Sequence, residues 1–245
     1  MTSEPLQGKA ALVTGGARRI GREIALELAA AGAEVTITYR TSRQDAEETI
    51  KAIKDLGRLA IAVECDVRSE ESVRDAVVAA VNFHGHIDLL VNNAAVFQSV
   101  PLDQLTVEQW DTVFATNARG PFLVARQTLA HLRKSEGRIV NIGSLGGLHA
   151  WADHAHYCSS KAALHMLTQA MAKAFAPEVA VNCVAPGWID LGDVETQSAA
   201  QHFAAKTPMK RNGTAQDVAQ AVVFFASAPK FITGQILAVD GGLGL

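Results

Sequence analysis

Cysteine is scarce in this chain: only Cys65, Cys158 and Cys183 occur among 245 residues, far apart and odd in number. That excludes a disulfide framework and fits a reducing compartment. Cys158 lies beside a tyrosine and reads as a packing residue, although alkylating it would crowd that tyrosine. Charge of one sign is lacking too: 22 Lys and Arg stand against 25 Asp and Glu, a net charge of -3. Such a balance gives no reason to expect nucleic acid or a membrane surface as a partner. No apolar run approaches the ~18 residues that a membrane span requires. The stretch Met1 to Lys9 is polar and carries Pro5, unlike a signal peptide. The sequence has no repeat, no low-complexity tract and no linker rich in proline, glycine or serine. What it does have is 49% apolar against 19% charged residues, enough to bury a large core and too apolar for disorder. The expectation is one cytoplasmic α/β domain spanning residues 1–245.

Short β-rich runs alternate with longer helical patterns. Strands are expected near Lys9 to Val13, Glu34 to Tyr39, Leu59 to Val63, Ile87 to Val91, Arg138 to Ile142, Ala180 to Val184 and Ile236 to Val239. Helices fit between them at Arg19 to Ala31, Gln44 to Leu56, Glu70 to Phe83, Val107 to Arg133, His154 to Phe175 and Ala215 to Ser227. Thr214 with Asp217 three residues later forms a capping-box pattern, Asp standing in for Glu. This alternation, with near-continuous apolar strands such as Ile87-Asp88-Leu89-Leu90-Val91, predicts a doubly wound parallel sheet of about seven strands with helices on both faces. The polar, Ala-rich segment 187–210 lies between a strand and a helix and is expected to form a substrate lid.

The run Thr14-Gly15-Gly16-Ala17-Arg18-Arg19-Ile20-Gly21 follows an apolar strand and opens a helix. Glycines let such a turn approach a pyrophosphate, to which the helix N-terminus offers backbone N–H groups. The spacing departs from G-x-G-x-x-G, so the turn alone is weak evidence for a nucleotide. The second strand ends in Tyr39-Arg40-Thr41-Ser42-Arg43, roughly 20 residues past the turn, where an NAD enzyme carries an acid for the ribose hydroxyls. No acid stands at Tyr39 or Arg40. Arg40 and Ser42, with Arg18 in the facing loop, suit the 2′-phosphate of NADP(H), because a guanidinium holds a phosphate bidentately. The alternative, solvated surface arginines, fits Arg43 better than Arg18 and Arg40 together. Asp66, past the third strand, is either an acceptor for an adenine amino group or a capping aspartate.

Tyr157 and Lys161 stand four residues apart, and on a helix such residues share a face. A free tyrosine has a pKa of roughly 10. A neighbouring cation favours phenolate and lowers that value. A phenol poised nearer neutrality protonates a nascent alkoxide or deprotonates an alcohol. Ser144 lies thirteen residues before the tyrosine. Taken singly, Ser144 and Asn117 read as a turn serine and a mid-helix asparagine. His149, His154 and His156 fall in a loop and a helix start without an acidic or cysteine partner, so no metal is expected.

The turn Thr14 to Gly21, Asp66, Asn92-Asn93-Ala94-Ala95, Asn117, Ser144, Tyr157 with Lys161, Pro186-Gly187 and Asp240-Gly241-Gly242 together resemble the short-chain dehydrogenase/reductase family. The resemblance runs from Lys9 to Gly242 and implies a Rossmann-type fold. It implies that Tyr157 is the acid/base, that Lys161 lowers its pKa and holds the nicotinamide ribose, and that Ser144 steadies the substrate oxygen. Asn117 is implied to hold a water linking Lys161 to solvent. The implied cofactor set comprises Gly15, Arg18, Arg19, Ile20 and Gly21, then Tyr39, Arg40 and Ser42, then Cys65, Asp66 and Val67. Asn93, Ala94 and Ala95 would line the adenosine and ribose, and Pro186, Gly187 and Ile189 would pass beside the nicotinamide. The implied reaction is hydride transfer between NADPH and a small-molecule carbonyl or alcohol. Phe97, Leu148, Trp151 and Trp188 are candidates for an apolar wall around that carbonyl.

Two departures narrow the branch. The family pattern is T-G-x-x-x-G-x-G, and Arg19 replaces the middle glycine; pteridine reductases share that arginine. Leu191 stands where the family often has a threonine beside the nicotinamide amide. Against these, pteridine reductases commonly carry an aspartate where this chain has Ser144. Serine orients an oxygen and pulls the reading toward ketone reduction, as in 3-oxoacyl-[acyl-carrier-protein] reductases. A pterin-type reductase and a dinucleotide-sensing protein without turnover stay as alternatives. The resemblance also implies a homodimer or homotetramer paired through the two long helices, where Ala162, Ala163 and Ala170 would permit close approach.

Overall fold

The structure is a computed structural model that describes residues 4–192 and 197–245. Its elements run β1 (Ala10–Val13), α1 (Arg19–Ala30), β2 (Glu34–Tyr39), α2 (Arg43–Asp55), β3 (Ala60–Glu64), α3 (Glu70–His84), β4 (Leu89–Asn92), α4 (Val107–Phe114), α5 (Gly120–Ser135), β5 (Arg138–Ile142), α6 (Ala155–Phe175), β6 (Ala180–Pro186), α7 (Gln197–Lys206), α8 (Ala215–Ser227) and β7 (Ile236–Val239). The seven strands form one sheet in the order β3-β2-β1-β4-β5-β6-β7. Every neighbouring pair is parallel, with Leu12 opposite both Thr36 and Leu90, and Asn92 opposite Asn141. The expected doubly wound sheet is what the chain forms.

Side chains alternate across a strand, and β1 serves both faces. Val13 joins Ile24 and Leu28 of α1 with Val218, Val222 and Phe225 of α8. Leu12 joins Val73 and Val77 of α3, Leu123 and Leu132 of α5, and Met171 of α6. Burying each such side chain stabilises by roughly 1.5–3 kcal/mol relative to exposure. Strand order reverses between β1 and β4, so the loops at their carboxyl ends part and leave a crevice where such sheets bind ligands.

Three local findings refine the sequence reading. The expected helix Val107 to Arg133 is interrupted by a π-helical turn, Ala115–Arg119, between α4 and α5; the helical period runs through both halves and conceals one inserted residue. The segment 187–210 contains a helix, α7, although residues 193–196 of that expected lid lie outside the described residues. The Thr214–Asp217 capping box is present, and α4 has another in Thr106 with Gln109. Among the described residues, no helix is long and apolar enough to cross a membrane.

Candidate active site

The crevice has a volume of about 430 Å³ at the carboxyl ends of β1, β2, β3 and β4. It is lined by the expected turn residues Gly15, Arg18, Arg19, Ile20 and Gly21 and by Tyr39, Arg40 and Ser42 after β2. Cys65, Asp66 and Val67 after β3 and Asn93, Ala94 and Ala95 after β4 complete that expected set. Main chain forms the turn's floor. Gly15 has φ 63, and a Cβ there would lie 3.0 Å from Ala94 Cα. A Cβ on Gly21 would lie 2.2 Å from the Gly15 carbonyl oxygen. Asn93 clamps the turn by donating Nδ2 to the carbonyls of Thr14 (2.9 Å) and Gly15 (3.0 Å), while Thr14 Oγ1 accepts the Asn93 and Ala94 N–H groups. Arg18 is the N-cap of α1 and gives it no side-chain cap, leaving first-turn N–H groups to an incoming anion. This cradle fits a dinucleotide pyrophosphate.

Arg19 takes φ 54 at the first position of α1. The left-handed conformation costs a non-glycine residue about 1–2 kcal/mol, which explains why a glycine serves naturally there. Asp66 faces the crevice with its carboxylate engaged: Arg68 donates Nε to both oxygens at 2.9 and 3.0 Å. That hydrogen bond leads the causes holding Asp66 below the ordinary carboxylate range, and the Arg40 charge adds to it. Arg68 carried no sequence signal beyond its spacing from Asp66.

The expected catalytic residues lie beside the crevice: Asn117, Ser144 and Lys161 are buried and Tyr157 is half-buried. Asn117 lies in the π-helical turn, fully buried. Its Nδ2 donates to the Val96 carbonyl (2.9 Å) and Ser160 Oγ (3.1 Å), and its Oδ1 accepts the Val96 N–H (2.8 Å). Both amide hydrogens are committed, so the side chain ties the β4 loop to α6. Ser144 ends the loop after β5, 4% exposed, and its Oγ accepts the Gly146 N–H at 3.0 Å. Lys161 is 3% exposed and donates Nζ to the Ile142 carbonyl at 2.7 Å. Tyr157 lies one turn before it, its ring centroid 5.8 Å from that Nζ.

Burial dominates the titration of this pair. It pushes the Tyr157 phenol up to about 12, and the Ser144 hydrogen bond opposes the shift without reversing it. It brings Lys161 down to about 8. Desolvation disfavours the charged form of both groups here, and Lys161 Nζ, with one of its three N–H groups on the Ile142 carbonyl, keeps donors free beside the tyrosine ring.

Of the expected apolar wall, two residues reach Tyr157. Phe97 packs edge-on at 4.8 Å and also stacks on His154, while Trp151 lies parallel to Tyr157 at 6.3 Å. Trp188 instead stacks on Phe203 of α7 at 4.3 Å, and Leu148 is exposed. Pro186, Gly187 and Ile189 lie outside the crevice lining: Pro186 ends β6, Gly187 packs against Asp240, and Ile189 bridges to Gly213. Leu191 does line it.

A buried polar relay backs the site. Asn92 donates to Asn141 (2.9 Å), Asn141 to Thr168 (2.8 Å), and Thr168 to the Leu164 carbonyl (2.9 Å). Its sequence signal is a lone polar residue inside the apolar strand Ile139-Val140-Asn141-Ile142.

Comparison with known proteins agrees with this architecture. A family model described as Enoyl-(Acyl carrier protein) reductase matches residues 15–244. The chain is 35% identical over 240 residues to the 3-oxoacyl-[acyl-carrier-protein] reductase FabG of Staphylococcus aureus, covering 96% of this chain and 98% of that one. It is 34% identical over 253 residues to 3beta-hydroxysteroid dehydrogenase 1 of Eggerthella lenta, covering 99% and 96%. A solved dehydrogenase/reductase from Sinorhizobium meliloti superposes with a TM-score of 0.93 at 36% identity, covering 100% of this chain and 98% of that chain.

Proposed function

The chain belongs to the short-chain dehydrogenase/reductase family, and from that premise we propose that it is an NADPH-dependent ketone reductase of the 3-oxoacyl type with Tyr157 as proton donor. It is an oxidoreductase of CH–OH and C=O groups using a nicotinamide dinucleotide. The observation that carries the finer reading is the juxtaposition of the buried Ser144 hydroxyl with the half-buried Tyr157 phenol, close enough for Ser144 to oppose the upward push that burial gives the phenol. Two O–H groups converging on one point suit a carbonyl oxygen: Ser144 orients it, and Tyr157 donates the proton as charge develops. The bound cofactor supplies the hydride. Lys161 holds the Ile142 carbonyl beneath the site and is the cation available for a ribose hydroxyl. Phe97 and Trp151 flank the tyrosine ring.

The preference for NADPH rests on Arg18, Arg40 and Ser42 lining the crevice with no acid at the end of β2. A dimer or tetramer belongs to the same proposal: Ala162, Met166 and Ala170 form one exposed stripe on α6, and Trp110 and Phe122 are exposed on α4 and α5. So does a reducing, cytoplasmic setting, since all three cysteines are free and buried.

A second reading, reduction of a C=N bond in a pterin-like ring, is supported by Arg19 and Phe97 lining the crevice together. Nicotinamide absorbance followed with an acetoacetyl thioester and with dihydrobiopterin tests both. Turnover of the thioester alone supports the ketone reading. Turnover of the pterin alone overturns it and transfers the specificity to Arg19, Phe97 and Leu191.

A further inference from the structure

One buried titratable side chain behind the site has no role in the chemistry above. His165 follows Lys161 by one turn of α6 and is 4% exposed. Its Nε2 accepts the Ser144 backbone N–H at 3.4 Å. The ring fills a slot between two glycines that flank the serine turn. A Cβ on Gly143 would lie 2.3 Å from Nε2, and one on Gly147 would lie 2.6 Å from Cε1. Ser144 is buried, so its N–H needs an acceptor, and an unpaired one is costly. With Nε2 accepting, the ring proton sits on Nδ1, which faces the Gly147 main chain without a well-formed hydrogen bond. The groups around the ring keep it neutral. Burial and the nearby Lys161 charge bring it down to about 4. Across from β6, Cys183 Sγ borders the same Gly143, its thiol pushed up to about 12 by burial.

We propose that His165 is a positioning residue for Ser144: the neutral imidazole holds the serine's main chain from behind and so sets its hydroxyl against Tyr157. This rests on the role given to Ser144 above. His165 touches neither substrate nor reacting atoms. It needs a lone pair at the Nε2 position and bulk enough to fill the glycine slot, and leucine supplies only the bulk.

The test compares His165→Leu, His165→Gln and His165→Asn in thioester reduction. A glutamine oxygen reaches the Nε2 position, whereas asparagine reaches only Nδ1. Misplacing Ser144 by about an ångström predicts a kcat loss on the order of 10- to 100-fold for Leu and Asn. NADPH affinity should be unchanged, and Gln should be rescued to within about threefold. If Leu fails to fold, the Gln–Asn difference carries the result. Equal kcat for Gln and Asn overturns the proposal. So does an undiminished kcat in His165→Leu where Ser144→Ala is impaired. Full activity in Ser144→Ala instead removes the role of Ser144 and this inference with it. Independently of turnover, ¹⁵N spectra of the wild-type protein should show His165 neutral and protonated at Nδ1; an Nε2-protonated ring overturns the proposal.

Discussion

The crevice and the buried cluster beside it are built from different material. The crevice is lined by main chain, glycines and exposed arginines, drawn from short runs after β1, β2, β3 and β4. In the cluster, Asn117, Ser144 and Lys161 are each at least 95% buried, and their partners come from the loop after β4, from β5, from the turn after Ser144 and from α6. The first tolerates side-chain change where no Cβ intrudes. The second depends on buried polar groups whose partners must all be present. The crevice is therefore defined by its shape, and the cluster beside it by hydrogen bonds made in a desolvated setting.

The largest expected effect separates the two. Tyr157→Phe should lower kcat by roughly 10²–10⁴-fold, the range for losing a general acid, while dinucleotide affinity measured by fluorescence stays within about twofold. Loss of both would break the division. Gly21→Ala should act in the opposite sense. Its Cβ would meet the Gly15 carbonyl oxygen, so overpacking should destabilise the fold by about 1–3 kcal/mol and weaken dinucleotide binding; a denaturant midpoint equal to wild type would show that the turn can yield.

Arg40→Ala sharpens the nucleotide end further. Removing a charge-assisted contact of about 1.5–3 kcal/mol should weaken NADPH about tenfold or more and leave NADH unchanged. Equal losses for both cofactors would deny Arg40 the 2′-phosphate. The smallest effect concerns acid stability. An unfolded histidine titrates near pH ~6.5, whereas folded His165 sits at about 4. Between those values the unfolded chain binds a proton that the folded chain excludes, so stability falls as pH drops from ~6.5 towards 4 and then levels. The groups facing His165 are Lys161 on its own helix and Cys183 on β6. His165→Gln should therefore show a smaller drop in Tm between neutral pH and pH ~5 than wild type; an identical drop would show that His165 titrates normally.

Much of the dinucleotide end was legible because its signals are local. The strand–turn–helix run at Thr14 to Gly21 and the Arg40–Ser42 pair are contiguous, and the crevice follows from strand order. Tyr157, Lys161 and Ser144 were legible as positions but not as an electrostatic state. Trp188 stacks on Phe203 of α7, a contact that composition could not give because it says nothing of where that helix docks. Asn117 was expected in an uninterrupted helix, since a π-helical turn adds one residue without disturbing the apolar period on either side. His165 gave no signal at all: its role exists only through the approach of Gly143 and Gly147, more than a dozen residues earlier in the chain.

The sequence by itself determined the parallel sheet and the residue types available to the site, because periodicity and turn chemistry are properties of neighbours along the chain. Only the tertiary structure decided that burial pushes the Tyr157 phenol up, that Lys161 is held by the Ile142 carbonyl and that the Ser144 N–H meets His165. Desolvation and hydrogen bonding are fixed by atoms packed together in space, and here those atoms come from β5, α6 and the loops between them.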